Sequence, residues 1–337
     1  MKALLNIFLF SIIFFTLGSC SKTADTQISF YYWRTVFRLN DTERETLAIN
    51  GIEKLYIRYF DVDVAGDGQV FPVAKLAIED KTDCEIIPVV FIKNQVMKEE
   101  NWDVNELTDQ ILSLVKQIHQ QQTNAPLHEI QIDCDWSVKS KERFLMFMST
   151  LRKKWVGKLS VTIRLHQIKF YKKTGIPPVD YGVLMYYNMG EIDNIEQNSV
   201  YDRNVASQYI QSIGNYPLSL KIALPVFSWG IQVRRDKVVG LWNKKALEDL
   251  ENNKKLQRLD DKRFKVVMPF FEQGKYFECD DIIIYEGVSK QDLENMARDL
   301  SRQKNKNFQN EIIFYDLDSI NIVRYDKETF KNVSSLL

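Results

Sequence analysis

Asp133 and Asp135 stand two residues apart in the run Gln131-Ile132-Asp133-Cys134-Asp135-Trp136-Ser137. If the run is extended, its side chains alternate, so Gln131, Asp133 and Asp135 share one face while Ile132 and Cys134 share the other. Two carboxylates on one buried face are costly unless paired or hydrogen-bonded, which makes them candidates for acid–base or orienting chemistry. The plainer reading is structural: the pair meets Arg58 and Arg164 as ion pairs, and spacing alone leaves both readings open. An arginine beside such a carboxylate favours its ionised form, and so favours binding or orienting over proton donation. His166, two residues after Arg164, is a candidate base or hydrogen-bond donor, set against an ordinary structural histidine; His119 and His128 fall in a helix end and a loop. No Ser–His–Asp or Cys–His order stands where a nucleophile could use it.

The elements that must carry these residues are legible as alternation. Runs rich in β-branched and aromatic residues predict strands at Ile28–Trp33, Lys54–Phe60, Glu85–Ile92, Glu129–Cys134, Leu159–Leu165, Gly182–Tyr187, Ser219–Val226 and Glu311–Asp316. Between them lie helical stripes: Leu107/Ile111/Val115/Ile118, Phe144/Phe147/Met148/Leu151/Trp155, Val205/Tyr209/Ile213 and Leu293/Met296/Ala297/Leu300, the last with Ser289 placed to cap it. Asp41 and Thr42 followed by Glu45 predict a helix start after the first strand. Eight strands with intervening helices predict an α/β fold, a single parallel (β/α)8 TIM-type barrel over 28–337. The stretch about 228–288 is longer than one helix requires and holds two hairpin-like runs, Ile231–Leu241 and Phe264–Tyr285, so an α+β insertion is expected between strands seven and eight. An open doubly wound sheet is the competing architecture, and no glycine-rich phosphate loop follows the first strand. No internal repeat is evident.

The chain has 337 residues, 45 Lys+Arg against 45 Asp+Glu, 45% hydrophobic and 12% aromatic content. That is a globular composition, and the absence of a basic surplus argues against a nucleic-acid partner. With three His and four Cys neither a metal nor a cofactor is expected. Met1-Lys2, an apolar run from Leu4 to Phe15 and then Leu17-Gly18-Ser19-Cys20 read as a signal peptide over 1–19, too short to span a bilayer. Leu-Gly-Ser-Cys resembles the bacterial lipobox, which implies lipidation of Cys20, a short tether over 20–27, membrane lipid as partner and an extracytoplasmic, membrane-anchored location, at the outer membrane in a Gram-negative cell. Cys84, Cys134 and Cys279 then remain, an odd number on which no disulfide framework can rest.

Ile130-Gln131-Ile132-Asp133-Cys134-Asp135-Trp136-Ser137 resembles the Asp-Gly-x-Asp-x-Asp-x-Glu signature of glycoside hydrolase family 18, the chitinases and endo-β-N-acetylglucosaminidases. Met185-Tyr186-Tyr187-Asn188 is similar to that family's Met-x-Tyr-Asp, Leu224-Pro225-Val226-Phe227 to its Gly-x-Pro-x-Tyr, and Phe314-Tyr315-Asp316 to its aromatic eighth strand. Tyr31-Tyr32-Trp33 also resembles the first strand of uncharacterised bacterial barrel families near it. In the family the signature's glutamic acid protonates the leaving oxygen and the substrate's own acetamido group attacks, held by the preceding Asp and the strand-six Tyr. The resemblance therefore implies Asp135 as the orienting carboxylate, Asp133 as its inner partner and Tyr187 as the acetamido contact. Ser137 stands where the acid belongs, and a hydroxyl is no general acid near neutral pH. Ile130 and Asn188 replace two further Asp residues.

Three functions follow as expectations. The first is a glycosidase-like barrel that binds a glycan, of N-acetylglucosamine type or another, without standard family 18 catalysis. Its ligand residues would be Trp33, Asp133, Asp135, Trp136, Ser137, Arg164, Tyr187, Asn188 and Trp229, with Trp136 and Trp229 foremost among the strand-end aromatics Tyr32, Trp33, Trp136, Tyr187, Phe227, Trp229 and Tyr315. The second is a glycoside hydrolase with a relocated acid, Glu191 by placement, ahead of Asp61, Asp63, Glu272, Asp316 and Asp318. The third is a lipoprotein of assembly whose barrel meets another protein.

Overall fold

The structure, a computed structural model, describes residues 26–303 and 308–337. The expected leader over 1–19 and Cys20 lie outside them.

Eight parallel strands close into a barrel: β1 (Gln27–Tyr32), β2 (Lys54–Val64), β3 (Glu85–Ile92), β4 (Glu129–Asp133), β5 (Lys158–Arg164), β6 (Tyr181–Met185), β7 (Leu220–Pro225) and β8 (Phe308–Tyr315). Closure is made by β1, which pairs with β8 from Gln27↔Glu311 to Phe30↔Phe314 and with β2 from Phe30↔Leu55 to Tyr32↔Ile57. This is a (β/α)8 barrel and excludes the open sheet. Each of the eight expected runs is a strand, with ends moved by a few residues. The largest change is β2, which continues through Asp61 and Asp63 to Val64 because Val70–Val73 pairs antiparallel with its outer half.

Helices α1 (Asp41–Ile49), α2 (Val104–Gln122), α3 (Lys141–Lys154), α4 (Arg203–Ile213) and α5 (Lys290–Ser301) flank the barrel. Their apolar stripes face the strands: Leu107, Ile111, Val115 and Ile118 of α2, and Phe144, Phe147, Met148 and Leu151 of α3, are buried. Ser289 caps α5 by accepting from the Asp292 N–H at 3.1 Å. At α1 the cap is Asn40, one residue before the expected start. Its side chain accepts from the Glu43 N–H at 3.0 Å while Glu43 accepts from the Asn40 N–H at 3.1 Å, a reciprocal box that satisfies two end donors.

Between β7 and β8 the chain leaves the barrel and builds its own five-stranded antiparallel sheet. The order is Lys237–Asn243, Ser228–Arg234, Ile282–Gly287, Arg263–Val266, Leu256–Arg258. Trp242, Leu250, Phe264, Val266, Phe270, Phe277 and Ile283 form its separate core. Phe264–Tyr285 is therefore two strands of that sheet with a smaller hairpin, Phe270–Glu272 and Lys275–Phe277, between them.

Candidate functional site at the barrel mouth

Strand β4 points Glu129, Gln131 and Asp133 inward, and these residues mark three levels of the lumen. At the floor Glu129 accepts from Ser160 at 2.9 Å and from Tyr181. Beside it Lys221 of β7 pairs with Glu311 of β8 at 2.8 Å. At mid-height Gln131 accepts from the Tyr31 hydroxyl at 2.6 Å. At the top Asp133, buried, accepts from Thr162 at 2.6 Å, and Asp135 follows just past the strand end.

Arg164, at the end of β5, donates through Nε and Nη2 to the two carboxylate oxygens of Asp135. Burial alone would lower the Arg164 pKa, and the hydrogen bond and charge of Asp135 raise it instead. The Asp133 carboxyl is pushed up to about 7, chiefly by burial and then by the charge of Asp135, against the opposing pull of Thr162 and Arg164. Asp135 is thus the member of the pair held by Arg164, and Asp133 the one whose proton burial retains. Arg58 does not join them. It grips Asp61 at 2.6 and 2.7 Å and lies over the Trp33 ring at 5.6 Å.

A folded-state carboxyl held above its unfolded pKa keeps its proton to higher pH than the unfolded chain does. Stability is therefore lost as pH rises from about 4 through about 7. Asp133→Asn keeps an acceptor for Thr162 and removes this term. Chemical denaturation at pH 5 and pH 8 is expected to show the variant losing less stability across that interval than the parent, by at least about 1 kcal/mol, roughly one pKa unit. Equal losses in the two proteins would refute the assignment.

Asp135, Arg164, His166, Tyr187, Asn188 and Tyr209 line a cavity of about 240 Å³ at the mouth. Tyr187 is buried and stacks on Tyr315 with ring centroids 5.4 Å apart. Its hydroxyl is buried and has no hydrogen-bond partner among the described residues. Asn188, exposed, takes a left-handed backbone (φ 53°), a conformation asparagine tolerates. His166 is exposed, and partial burial with the nearby Arg164 charge lowers its pKa. Tyr209, read from the sequence as part of a packing stripe, does pack half-buried against the core, and it also lines the cavity, which nothing in its spacing signals.

Of the other expected ligand residues, Trp33 is half-buried at the mouth, edge-on to Tyr315 at 5.4 Å. Trp229 lies on the insertion's first strand, donating to Glu286 at 3.1 Å and touching Phe227 at 5.1 Å. Trp136 is corrected: it is fully buried, stacked on Phe144 at 4.5 Å, and its indole N–H donates to the Thr174 carbonyl at 2.9 Å. It is core and cannot present a face to a sugar. Tyr32 is likewise structural, donating to the Val36 carbonyl at 2.6 Å. Ser137 turns toward Ser140, whose hydroxyl accepts from the Ser137 N–H at 2.9 Å and donates to Asn94.

The alternative carboxylates are placed as follows. Glu191 is exposed in the loop after β6 and is not among the residues lining the cavity. Asp63 pairs with Lys93 and Glu272 with Lys245. Asp318 pairs with Lys244 at 2.5 Å. Asp316 is buried and accepts from Asn321 at 2.5 Å; burial pushes its carboxyl up to about 6.

No family model matches this chain, and no curated protein matches it. Among solved structures it is similar to the spore cortex-lytic enzyme SleL of Bacillus cereus, with a TM-score of 0.56 and 12% identity over 91% of this chain and 73% of that one. Chitinase ChiA74 of Bacillus thuringiensis follows at TM-score 0.48 and 8% identity over 87% and 65% of the two chains, and a GH113 β-1,4-mannanase at 0.47 and 10% over 92% and 98%. The likeness to SleL is one of fold, a closed (β/α)8 barrel.

Proposed function

We propose that the protein is a membrane-anchored extracytoplasmic lipoprotein, held by lipid on Cys20, whose barrel mouth binds glycan without standard family 18 hydrolysis. The observation that carries the glycan reading is the Tyr187 hydroxyl, shielded from solvent and unpaired beside Asp135, Arg164 and Asn188. A buried hydroxyl without a partner costs about 1–3 kcal/mol, a cost that a ligand polar atom removes. Flat rings at the half-buried Trp33 and Tyr315 suit the apolar faces of sugars. The Ser137 hydroxyl is turned to Ser140, and a neutral hydroxyl supplies no general acid.

The test is a glycan-array screen of the full-length protein in detergent micelles, with reducing-end release assayed on every hit. Binding without release is expected. Tyr187→Phe is expected to weaken each hit by about 3–10-fold, the worth of one neutral hydrogen bond, with thermal stability unchanged or raised. Release of reducing ends would establish a hydrolase with a relocated acid, and no binding to any glycan would refute the reading in favour of a protein-binding role.

A further inference from the structure

A second and larger cavity, about 690 Å³, opens at the same end of the barrel and is lined by Trp33, Arg34, Thr35, Arg38, Glu79 and Lys244 among others. It is joined to the first by a chain of rings: Trp33 meets Tyr315 at 5.4 Å, and Tyr315 stacks on Tyr187 at 5.4 Å. Its three cations come from separate parts of the chain, two from the loop after β1 and one from the insertion. Two of them are held from behind. Arg34 donates at 2.7 Å to Glu43, which is fully buried on α1, and Lys244 pairs with Asp318, itself buried.

Both oxygens of each of those carboxylates already accept a hydrogen bond. Glu43 also accepts from the Asn40 N–H at 3.1 Å and the Ser319 N–H at 3.0 Å, and Asp318 from the Ile320 N–H at 3.1 Å. The donors are not all engaged: a guanidinium carries five N–H groups and an ammonium three. Arg34 Nε is buried without a hydrogen-bond partner among the described residues. Cations in front with satisfied carboxylates behind make a dipole whose positive end lines the cavity. Arg38, which pairs with Glu79 at the exposed rim, adds a third guanidinium or ammonium group.

We propose that this second cavity binds an anionic substituent, a carboxylate or a phosphate, on a sugar that continues from the Tyr187 cavity across the Tyr315 and Trp33 rings. The inference rests on the glycan reading and narrows its ligand class to acidic glycans.

The probes are matched pairs applied to the full-length protein in micelles: hyaluronan and galacturonate oligosaccharides against their methyl esters, and a phosphorylated oligomannose against its dephosphorylated form. The acidic member of at least one pair is expected to bind about tenfold tighter at low salt, with the ratio shrinking as salt rises. The pair that shows the preference identifies the anion. Arg34→Gln is expected to bring the ratio near one and leave the neutral member's affinity in place. Because Arg34 also neutralises buried Glu43, Arg38→Gln and Lys244→Gln are measured beside it, and each is expected to lower the ratio. Tyr187→Phe is expected to weaken both members alike. Binding of neutral and acidic members with equal affinity would overturn the inference and leave the glycan reading standing; absence of binding to every probe and every array glycan would overturn both.

Discussion

Lys221→Met is expected to destabilise the protein by about 3 kcal/mol, the largest effect of any single change considered for the barrel floor. The Lys221 ammonium is buried among Glu311 at 2.8 Å, the Tyr56 hydroxyl at 3.0 Å and the face of the Tyr181 ring at 4.0 Å. Met fills similar volume but leaves Glu311 charged and buried. Removing one partner of a buried pair typically costs about 3–5 kcal/mol, and the low end applies because Lys54 remains 3.5 Å from Glu311. Ser29 at 2.8 Å and Tyr56 at 3.1 Å continue to donate to that carboxylate. Lys221→Met with Glu311→Gln is expected to recover much of the loss, since Gln keeps an acceptor without the charge. Equilibrium urea unfolding of the two singles and the double reads the coupling. A single Lys221→Met within about 0.5 kcal/mol of the parent, the range of an ordinary surface substitution, would show that the floor is hydrated and not an enclosed ionic layer.

That layer was not legible in the sequence, and the reason is physical. In the sequence Glu129 and Glu311 open their expected strands and Lys221 stands near the start of its own, where a charge ordinarily marks the solvated end of an element. Only closure of the sheet, with β1 between β8 and β2, brings residues 92 and 182 positions apart into one lumen. The strands themselves were legible because each is a short β-branched run whose composition depends on its own burial. The β4 carboxylates were legible for a related reason: alternation within one strand needs no knowledge of its neighbours. The same parity places Trp136 on the face of Ile132 and Cys134, opposite Asp135, and so points it into the helical layer where Phe144 receives it. Expecting it at the mouth weighed its position after a strand above its parity. Lys244 carried no signal at all, because the insertion's hairpin, not local sequence, delivers it to Asp318.

At the mouth, Arg164→Met is expected to cost about 2 kcal/mol in stability and to abolish glycan binding. Arg164 makes a two-point contact with Asp135 through Nε and Nη2, and the two-point geometry fixes the plane of that carboxylate. The side chains of both residues are partly exposed, 22% for Arg164 and 42% for Asp135. The cost therefore falls between that of a surface pair, below about 1 kcal/mol, and a buried one, about 3–5 kcal/mol. Losing the guanidinium also removes an influence that lowers the Asp133 pKa, so the Asp133 proton is held more tightly while Asp135 is left without its cation. Asp135→Asn is expected to be milder, because a neutral amide no longer repels Asp133 and Arg164 remains beside it. In the double variant, Arg164→Met costs less than it does alone, since the unpaired charge it would expose is already gone. A coupling free energy above about 1 kcal/mol from urea unfolding of all four proteins is the expected result. Additivity within about 0.3 kcal/mol would mean that water already screens the pair and that Asp135 is free to turn toward a ligand by itself. Affinity separates these cases independently: if Arg164 acts by aiming Asp135, then Arg164→Met and Asp135→Asn weaken the same glycans, and the double variant is no weaker than the worse single.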